Sequence, residues 1–115
     1  MTICERFDVA IVLFPFIDRA RAKPRPALVL SGRAFNAAHG ATVMAMITTA
    51  AFTHWPSDVP ISDLARAGLS APSVVRFKLF TLQNGIIARR IGRLSRADTA
   101  KVKAGLSRSL GRAGA

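Results

Sequence analysis

The residues best suited to chemistry lie in one short stretch, Lys23 to Ser31, where Arg25 stands between Pro24 and Pro26. Each proline fixes its own φ and pushes the preceding residue towards an extended backbone, so we expect Arg25 to be held at the mouth of a strand. A guanidinium held in this way can bind a phosphate. The same pattern also fits an edge strand that begins at the prolines, with Arg25 as a solvated surface charge.

Other cations and a hydroxyl accompany this stretch. Arg19, Arg21 and Lys23 occupy alternate positions in the polar loop before it, and in an extended loop their side chains would point the same way. The loop is interpreted either as a phosphate-grasping loop or as a solvated surface. Thr48 ends a predicted strand over residues 41–49, where polar side chains usually reach a surface, although threonine is also common within strands.

The predicted loop 52–60 contributes two further candidates. His54 carries an imidazole, a common proton-transfer group in active sites, and a plain surface histidine is the alternative. Trp55 is the sole tryptophan. It fits either the edge of the core or a surface on which a nucleic-acid base stacks, and packing is the more common role in a small domain.

Composition excludes several kinds of active site. The chain has one cysteine, two histidines and six acidic residues, so it offers no zinc cluster and no pair of neighbouring carboxylates. It also contains no Gly-rich phosphate loop and no Gly-x-Ser-x-Gly motif. Arginines, hydroxyls and a loop histidine suit phosphate chemistry in which the substrate supplies the nucleophile, as RNA does with its 2′-hydroxyl. We therefore expect neither a metal nor another cofactor.

The net charge of +11 is unevenly distributed along the chain. Residues 1–33 carry six Lys/Arg against three acids, residues 34–65 carry two acids alone, and residues 66–115 carry eleven Lys/Arg against one acid. This field favours a nucleic acid or an acidic protein as partner. The single cysteine fits a reducing, cytoplasmic compartment, and the longest apolar run, Val9–Ile17, is too short to span a membrane.

The elements that position these residues are predicted to be many short strands followed by one helix. Asn84-Gly85 predicts a hairpin turn between two of the strands. Strands are expected over 8–14, 26–31, 41–49, 59–61, 73–77 and 86–94, and residues 79–82 either continue the fifth strand or start the next one. A connection at 33–40 includes one helical turn, and a turn is expected at 64–69. Such spacing favours a single, mainly β (α+β) domain over residues 1–115, built as a small, strongly curved barrel or a sandwich.

The C-terminal segment has the pattern of a capped amphipathic helix. Ser95 and Asp98 have the spacing of a capping box, with Ser95 as N-cap and Asp98 as the returning acid. Val102, Leu106 and Leu110 then recur every four residues, which predicts a helix that packs this stripe against the core.

Six sequence blocks, in order along nearly the whole chain, resemble those of the MazF/PemK toxins. The blocks are Asp8-Val9 with Phe14 to Asp18, Lys23 to Ser31, Ile47 to Thr49, Trp55-Pro56 with Asp58 to Pro60, Pro72 to Arg76, and Arg90 to Ser95. The resemblance implies an SH3-like curved β-barrel of about five to seven short strands with a C-terminal helix, usually assembled as a homodimer. It also implies the toxin half of a bacterial type II toxin–antitoxin module.

Members of that family are metal-independent endoribonucleases. They cut single-stranded RNA, including mRNA, to leave a 2′,3′-cyclic phosphate and a 5′-hydroxyl, and an antitoxin segment fills the RNA groove when the toxin is neutralised. By position, the family's catalytic arginine matches Arg25 and its catalytic threonine matches Thr48. The cations expected to hold the RNA backbone are Arg19, Arg21, Lys23, Arg76 and Lys78.

The chain departs from the family pattern at three places. Phe7 stands where many relatives have a glycine, residues 19–23 replace the usual polar loop, and Lys78 stands where some relatives have an acid proposed as general base. The family's general base is therefore not carried over to this chain. A catalytically inactive SH3-like barrel that binds RNA or a protein partner is the alternative function.

Overall fold

Six strands and three helices make up the part of the chain described by the computed structural model, namely residues 1–14, 23–50 and 54–111. The strands are β1 (Asp8–Phe14), β2 (Lys23–Val29), β3 (Ala41–Thr49), β4 (Val59–Pro60), β5 (Ser73–Gln83) and β6 (Ile87–Arg93). The helices are α1 (Arg33–His39), α2 (Leu64–Ala67) and α3 (Arg96–Leu110), and a 3-10 turn spans Asn84–Ile86.

All six strands belong to one antiparallel sheet with the order β4-β5-β3-β2-β1-β6. Within the described residues no ladder joins β4 to β6, so the sheet is not closed. Its two ends nevertheless share a core, because Val59 of β4 packs in the same apolar cluster as Val9 of β1, with Ile91 of β6 against it. The sheet therefore curls around that cluster, and the predicted mainly β fold with a C-terminal helix is confirmed.

The two faces of the sheet carry different apolar clusters. The first, which we call cluster 1, lies under α3 and contains Val9, Leu28, Ala45, Val75 and Val102 among its buried members. The second, cluster 2, contains the alternate strand residues Ala10, Val12, Ala27, Val29 and Met44. Because successive residues of a strand point to opposite faces, the same short strands supply both clusters.

Asn84 ends β5 without forming the predicted hairpin. In the described sheet β6 pairs with β1, and β5 pairs with β3 and β4, so the prediction that β5 and β6 are neighbours is wrong. Asn84 is buried, accepts a hydrogen bond from Thr42 Oγ1 (2.7 Å) and donates to the Asn36 carbonyl (2.8 Å). The side chain that signalled a turn instead ties β3 to α1.

Several other strands and helices begin and end close to the positions predicted from the sequence. Strands β1 and β3 have the predicted bounds, whereas β2 starts at Lys23, three residues before the predicted start. The predicted connection at 33–40 is the seven-residue helix α1, closed by Gly40 in the left-handed region at φ +64°. The predicted turn at 64–69 is the short helix α2.

Helix α3 begins at the predicted cap. Ser95 Oγ accepts from the Asp98 N–H (3.1 Å), while the Asp98 carboxylate accepts from the Ser62 hydroxyl (2.6 Å) and from the N–H groups of Ser62 and Asp63. Asp98 is thus the anchor between α3 and the segment after β4. Burial alone would raise the pKa of this carboxyl group, but these hydrogen bonds outweigh burial and lower it.

The apolar stripe of α3 faces the core only at its start. Val102 is buried and Leu106 is half-buried, but Leu110 is 67% exposed, so the prediction that Leu110 packs against the core is wrong. Gly105 allows α3 to approach the sheet, because an added Cβ there would lie 2.8 Å from the Phe77 ring.

Phe7 adopts a backbone conformation that favours glycine, with φ +69°. Phe7 is 6% exposed within cluster 1, and the Arg6 guanidinium carbon lies 4.7 Å from its ring centroid. Left-handed backbone costs a residue with a side chain about 1–2 kcal/mol. Burial of the aromatic ring offsets this strain.

Asp98→Asn is expected to lower the free energy of unfolding at pH 7 by about 2 kcal/mol, because a charged acceptor of several hydrogen bonds is lost. The lowered folded-state pKa means that the Asp98 contribution is present at neutral pH and disappears as the pH falls below about 4. Urea unfolding at several pH values should therefore show the two proteins converging in acid. Asp63→Asn, at the exposed N-cap of α2, is the control and should leave the free energy of unfolding nearly unchanged, because asparagine caps a helix about as well as aspartate.

Phe7→Gly is expected to be more stable than Phe7→Ala by about 1 kcal/mol, although both are less stable than the unmodified protein. Both variants lose the buried ring, but only glycine relieves the left-handed backbone. Thermal unfolding of the three proteins measures the order. An alanine variant as stable as the glycine variant would contradict the strain at this position.

Candidate active site

Arg25 and Thr48 approach each other where the pairing of β2 with β3 stops. The last recorded pairs of this ladder are Val29 with Met44, Leu28 with Ala45, and Ala27 with Met46. Continuing this register by two residues on each strand, from the pair of Ala27 with Met46, places Arg25 opposite Thr48. The two residues matched to the family's catalytic pair therefore flank the open end of the β2–β3 seam.

The prolines explain why the ladder stops there. Leu30, just after β2, donates its N–H to the Val43 carbonyl (2.8 Å), in the register of the ladder. Successive backbone N–H groups point to opposite edges of a strand, so the N–H groups of the even-numbered residues in this stretch point towards β3. Positions 26 and 24 are prolines and have no N–H to give. The strand therefore lacks two donors in succession on the side that faces β3.

The opposite side of β2 stays paired, and this holds Arg25 in place. Strand β1 pairs with β2 along its whole length, including Val12 with Arg25 and Phe14 with Lys23. Prolines at alternate positions remove donors only from the β3 side, so the β1 ladder is intact. Arg25 is thus exposed on a backbone that is fixed by its neighbours.

A cavity of about 120 Å³ occupies the open seam. Its walls combine one cation, three hydroxyl residues and two apolar residues, which gives it the composition of a site for a small anion. The lining residues are Arg25, Pro26, Ile47, Thr48, Thr49 and Ser73.

Thr49 and Ser73 are site residues that the sequence interpretation missed. Ser73 is opposite Thr49 in the β3–β5 ladder, and its hydroxyl donates to the Ala71 carbonyl (2.8 Å). Because that hydroxyl proton is engaged, the Ser73 oxygen can interact with a ligand mainly as an acceptor. Finding this residue from the sequence would have required knowing that β5 pairs with β3 in this register.

Four of the predicted site residues share one face of the sheet. Directly opposed residues of antiparallel strands point to the same face, and Thr48 is opposite Val74 while Met46 is opposite Arg76. Arg25 and Lys23 alternate with Ala27, which is opposite Met46, and so lie on that face as well. Helix α3 packs on the other face, against cluster 1.

Arg76 is engaged within the protein. Its side chain is 9% exposed and forms a two-point ion pair with Asp58, at 3.1 Å from Nε and 2.8 Å from Nη2. The hydrogen bond from Arg76 is the main reason why the pKa of the Asp58 carboxyl lies below its usual range. The role of Arg76 in holding RNA stays a prediction, and two of its donors already bind a carboxylate.

The aromatic candidate lies over this ion pair rather than in the core. Trp55 is 42% exposed and belongs to neither apolar cluster, so the prediction that it packs at the core edge is wrong. The Arg76 guanidinium carbon is 5.4 Å from its ring centroid. His54 is exposed beside it and is close enough for its charge to contribute to the low pKa of Asp58.

The remaining predicted cations lie away from the cavity lining or outside the described residues. Lys78 is exposed in a bulge of β5, because Met46 is opposite Arg76 whereas its neighbour Ala45 is opposite Leu79. Arg19 and Arg21 lie outside the described residues. Residues 1–14, 23–50 and 54–111 contain no group of three or more potential metal ligands and no helix long and apolar enough to cross a membrane.

A family model matches the chain over residues 5–110, and the family is described as PemK-like, MazF-like toxins of type II toxin–antitoxin systems. The chain belongs to this family. The match includes both sides of the open seam, α3 and the ion pair under Trp55. No curated protein matches the sequence.

Several solved structures of this kind share the fold at low sequence identity. A chain of a MazE–MazF crystal structure from Deinococcus radiodurans superposes with a TM-score of 0.76 at 22% identity, with 98% of this chain and 100% of that one covered. A mycobacterial endoribonuclease in complex with its cognate antitoxin gives 0.74 at 20% identity, with full coverage of both chains. The Mycobacterium tuberculosis toxin MazF-mt6 gives 0.71 at 23% identity, covering 90% and 95%.

Pro26→Ala is expected to close the seam by one residue pair. The new N–H would lie opposite the Ile47 carbonyl and extend the β2–β3 ladder, so this amide should be protected from hydrogen exchange. NMR exchange rates of the amide at position 26 test this. The amide that Pro56→Ala creates in an exposed turn is the control. Equal exchange rates at the two positions would contradict the proline explanation.

Proposed function

We propose that this toxin is a metal-independent endoribonuclease that cleaves single-stranded RNA. The observation that carries the proposal is the cavity between β2 and β3, where a fixed arginine and a threonine flank a space of about 120 Å³. A space of that size and composition fits a phosphate group. The family membership and the charge of +11 support a polyanionic substrate.

In the proposed reaction, the 2′-oxygen of the RNA attacks the adjacent phosphorus and the bond to the 5′-oxygen breaks. The products are a 2′,3′-cyclic phosphate and a 5′-hydroxyl, and the proton lost from the 2′-hydroxyl is balanced by one gained by the leaving oxygen. Arg25 stabilises the negative charge that develops on the phosphoryl oxygens. Thr48 orients the phosphate or the leaving group through its hydroxyl.

The proton transfers need groups other than Arg25, because guanidinium groups stay protonated in proteins. The family position of a proposed acidic base is Lys78 in this chain. His54 and water are the candidates that the chain and the solvent offer. The cations Lys23 and Lys78, with Arg19 and Arg21, would attract and hold the backbone on either side of the scissile phosphate.

An antitoxin is the proposed protein partner. Solved structures with the same fold include MazE–MazF of Deinococcus radiodurans and a mycobacterial endoribonuclease in complex with its cognate antitoxin. An acidic antitoxin segment would occupy the cationic face that carries Arg25 and so block RNA. The homodimer and the bacterial cytoplasm as location rest on the family resemblance alone.

A catalytically inactive barrel that binds RNA or a protein is the second candidate. Two observations favour it: Lys78 replaces the acid of some relatives, and Arg76 is held by Asp58 instead of facing solvent with all its donors. Such a protein would keep the cationic face and bind phosphates with a similar dependence on salt. Cleavage products separate the two candidates, whereas binding does not.

The test is incubation of the purified protein with a mixed-sequence RNA in EDTA, followed by mapping of the new ends. We expect cuts with 5′-hydroxyl ends, and a loss of at least about 100-fold in rate for Arg25→Ala and for Thr48→Ala, because each removes transition-state stabilisation. Arg108→Ala on α3 and Thr81→Ala on β5, both exposed, are matched controls and should cleave normally.

Thermal unfolding of the same variants excludes a structural explanation. Arg25 is exposed and Thr48 is half-buried at the cavity, so both variants should melt near the unmodified protein. A normal cleavage rate in either variant would remove that residue from the site. Tight RNA binding by the unmodified protein without any cleavage would favour the inactive barrel.

A further inference from the structure

Trp55 is a large aromatic side chain that the core does not use. It is 42% exposed and packs in neither cluster 1 nor cluster 2. Exposed aromatic rings on single-stranded nucleic-acid-binding proteins commonly stack with bases. Exposure alone does not identify such a site, so the argument depends on how the ring is held and where it lies.

Two hydrogen bonds between Trp55 and Asp58 hold the turn that carries the tryptophan. The Asp58 N–H donates to the Trp55 carbonyl (3.0 Å), and the Trp55 N–H donates to Asp58 Oδ2 (3.0 Å). The same carboxylate receives Arg76 Nη2 at 2.8 Å. One buried acid therefore fixes both the backbone of the tryptophan and the arginine beneath its ring.

The ion pair under the ring is built to be rigid. The side chains of Asp58 and Arg76 are 7% and 9% exposed, and a buried charge pair is favourable only with good geometry and further hydrogen bonds. The two parallel contacts from Arg76 meet that condition. With the guanidinium over one side of the ring, the other side is the one that a ligand could cover.

This platform lies beside the candidate active site, on the same face of the sheet. Arg76 is two residues along β5 from Val74, which is the partner of Thr48. Two residues of a strand span about 6.6 Å. Because Arg76 lies this short span from the partner of Thr48 and the Trp55 ring lies over Arg76, a base next to a phosphate at Thr48 could reach the ring.

We propose that Trp55, held by Asp58 and Arg76, is a stacking platform for one base next to the scissile phosphate, and that it contributes to the sequence preference of cleavage. This inference rests on the proposed function. Trp55 acts as a specificity-determining residue that touches the substrate, and Asp58 acts as a positioning residue. An RNA base is favoured over an antitoxin side chain because an exposed ring over a guanidinium, on the face of the sheet that carries Arg25 and Thr48, combines a stacking surface with cations, as sites for single strands do.

Trp55 fluorescence gives a direct test, since it is the only tryptophan. Arg25→Ala is titrated with an RNA that contains the mapped cleavage site, and then with copies in which single nucleotides are abasic. We expect quenching by the intact RNA, and loss of that quenching, with about tenfold weaker binding, when one particular base beside the cleavage position is missing. Uniform quenching by all abasic copies would overturn the platform.

Cleavage specificity provides the second measurement. Trp55→Ala should lose preference at that one position, Trp55→Phe should retain part of it, and Phe35→Ala, which removes another 42% exposed aromatic on α1, should leave it unchanged. Asp58→Asn should make Trp55 more accessible to a soluble quencher and weaken the same preference. An unchanged preference in Trp55→Ala, with weakened antitoxin binding, would assign the ring to the protein partner instead.

The outcomes also separate this inference from the proposed function. Cleavage that is lost in Arg25→Ala, but whose sequence preference is unchanged in Trp55→Ala, would overturn the platform alone. Absence of RNA binding by the unmodified protein would overturn the proposed function and the platform together.

Discussion

Two missing N–H groups on one side of β2 determine the geometry of the candidate site. Pro24 and Pro26 cannot donate to β3, so the ladder ends at the pair of Ala27 with Met46 and the strands leave a cavity between them. The opposite side of the same strand remains paired with β1, which holds the intervening Arg25. A Pro-Arg-Pro sequence thus opens a seam and fixes a cation at its edge at the same time.

The core and helix α3 determine which face of the sheet stays open at that seam. The sheet curls around cluster 1, and Asp98 anchors α3 to the segment after β4. The helix therefore covers one face and leaves the other face, with Arg25 and Thr48, open to a ligand. A second buried carboxylate, Asp58, orders the segment beside the cavity through Arg76 and the Trp55 backbone. Two acids in a strongly basic chain thus organise the surroundings of the candidate site.

The sequence predicted the features that depend on local pattern and on family resemblance. Strands β1 and β3 and the cap at Ser95 were predicted in this way. Arg25 and Thr48, which the resemblance singled out, both line the cavity, and their catalytic role stays a prediction. The sequence did not predict features that depend on which strands are neighbours. Asn84-Gly85 indicated a hairpin, but the Asn84 side chain instead accepts a hydrogen bond from the Thr42 hydroxyl on β3. Ser73 joins the cavity only through the β3–β5 register, and the Arg76 ion pair joins segments that local pattern cannot connect.

A crystal structure of the unmodified protein with a short RNA, made uncleavable by one 2′-deoxy nucleotide at the mapped cleavage position, tests the central claim most directly. The account predicts a phosphate in the seam beside Pro26, with oxygens within hydrogen-bond distance of the Arg25 guanidinium and the Thr48 hydroxyl. A scissile phosphate bound elsewhere, with the seam closed or empty, would contradict the claim that the proline-opened gap is the active site.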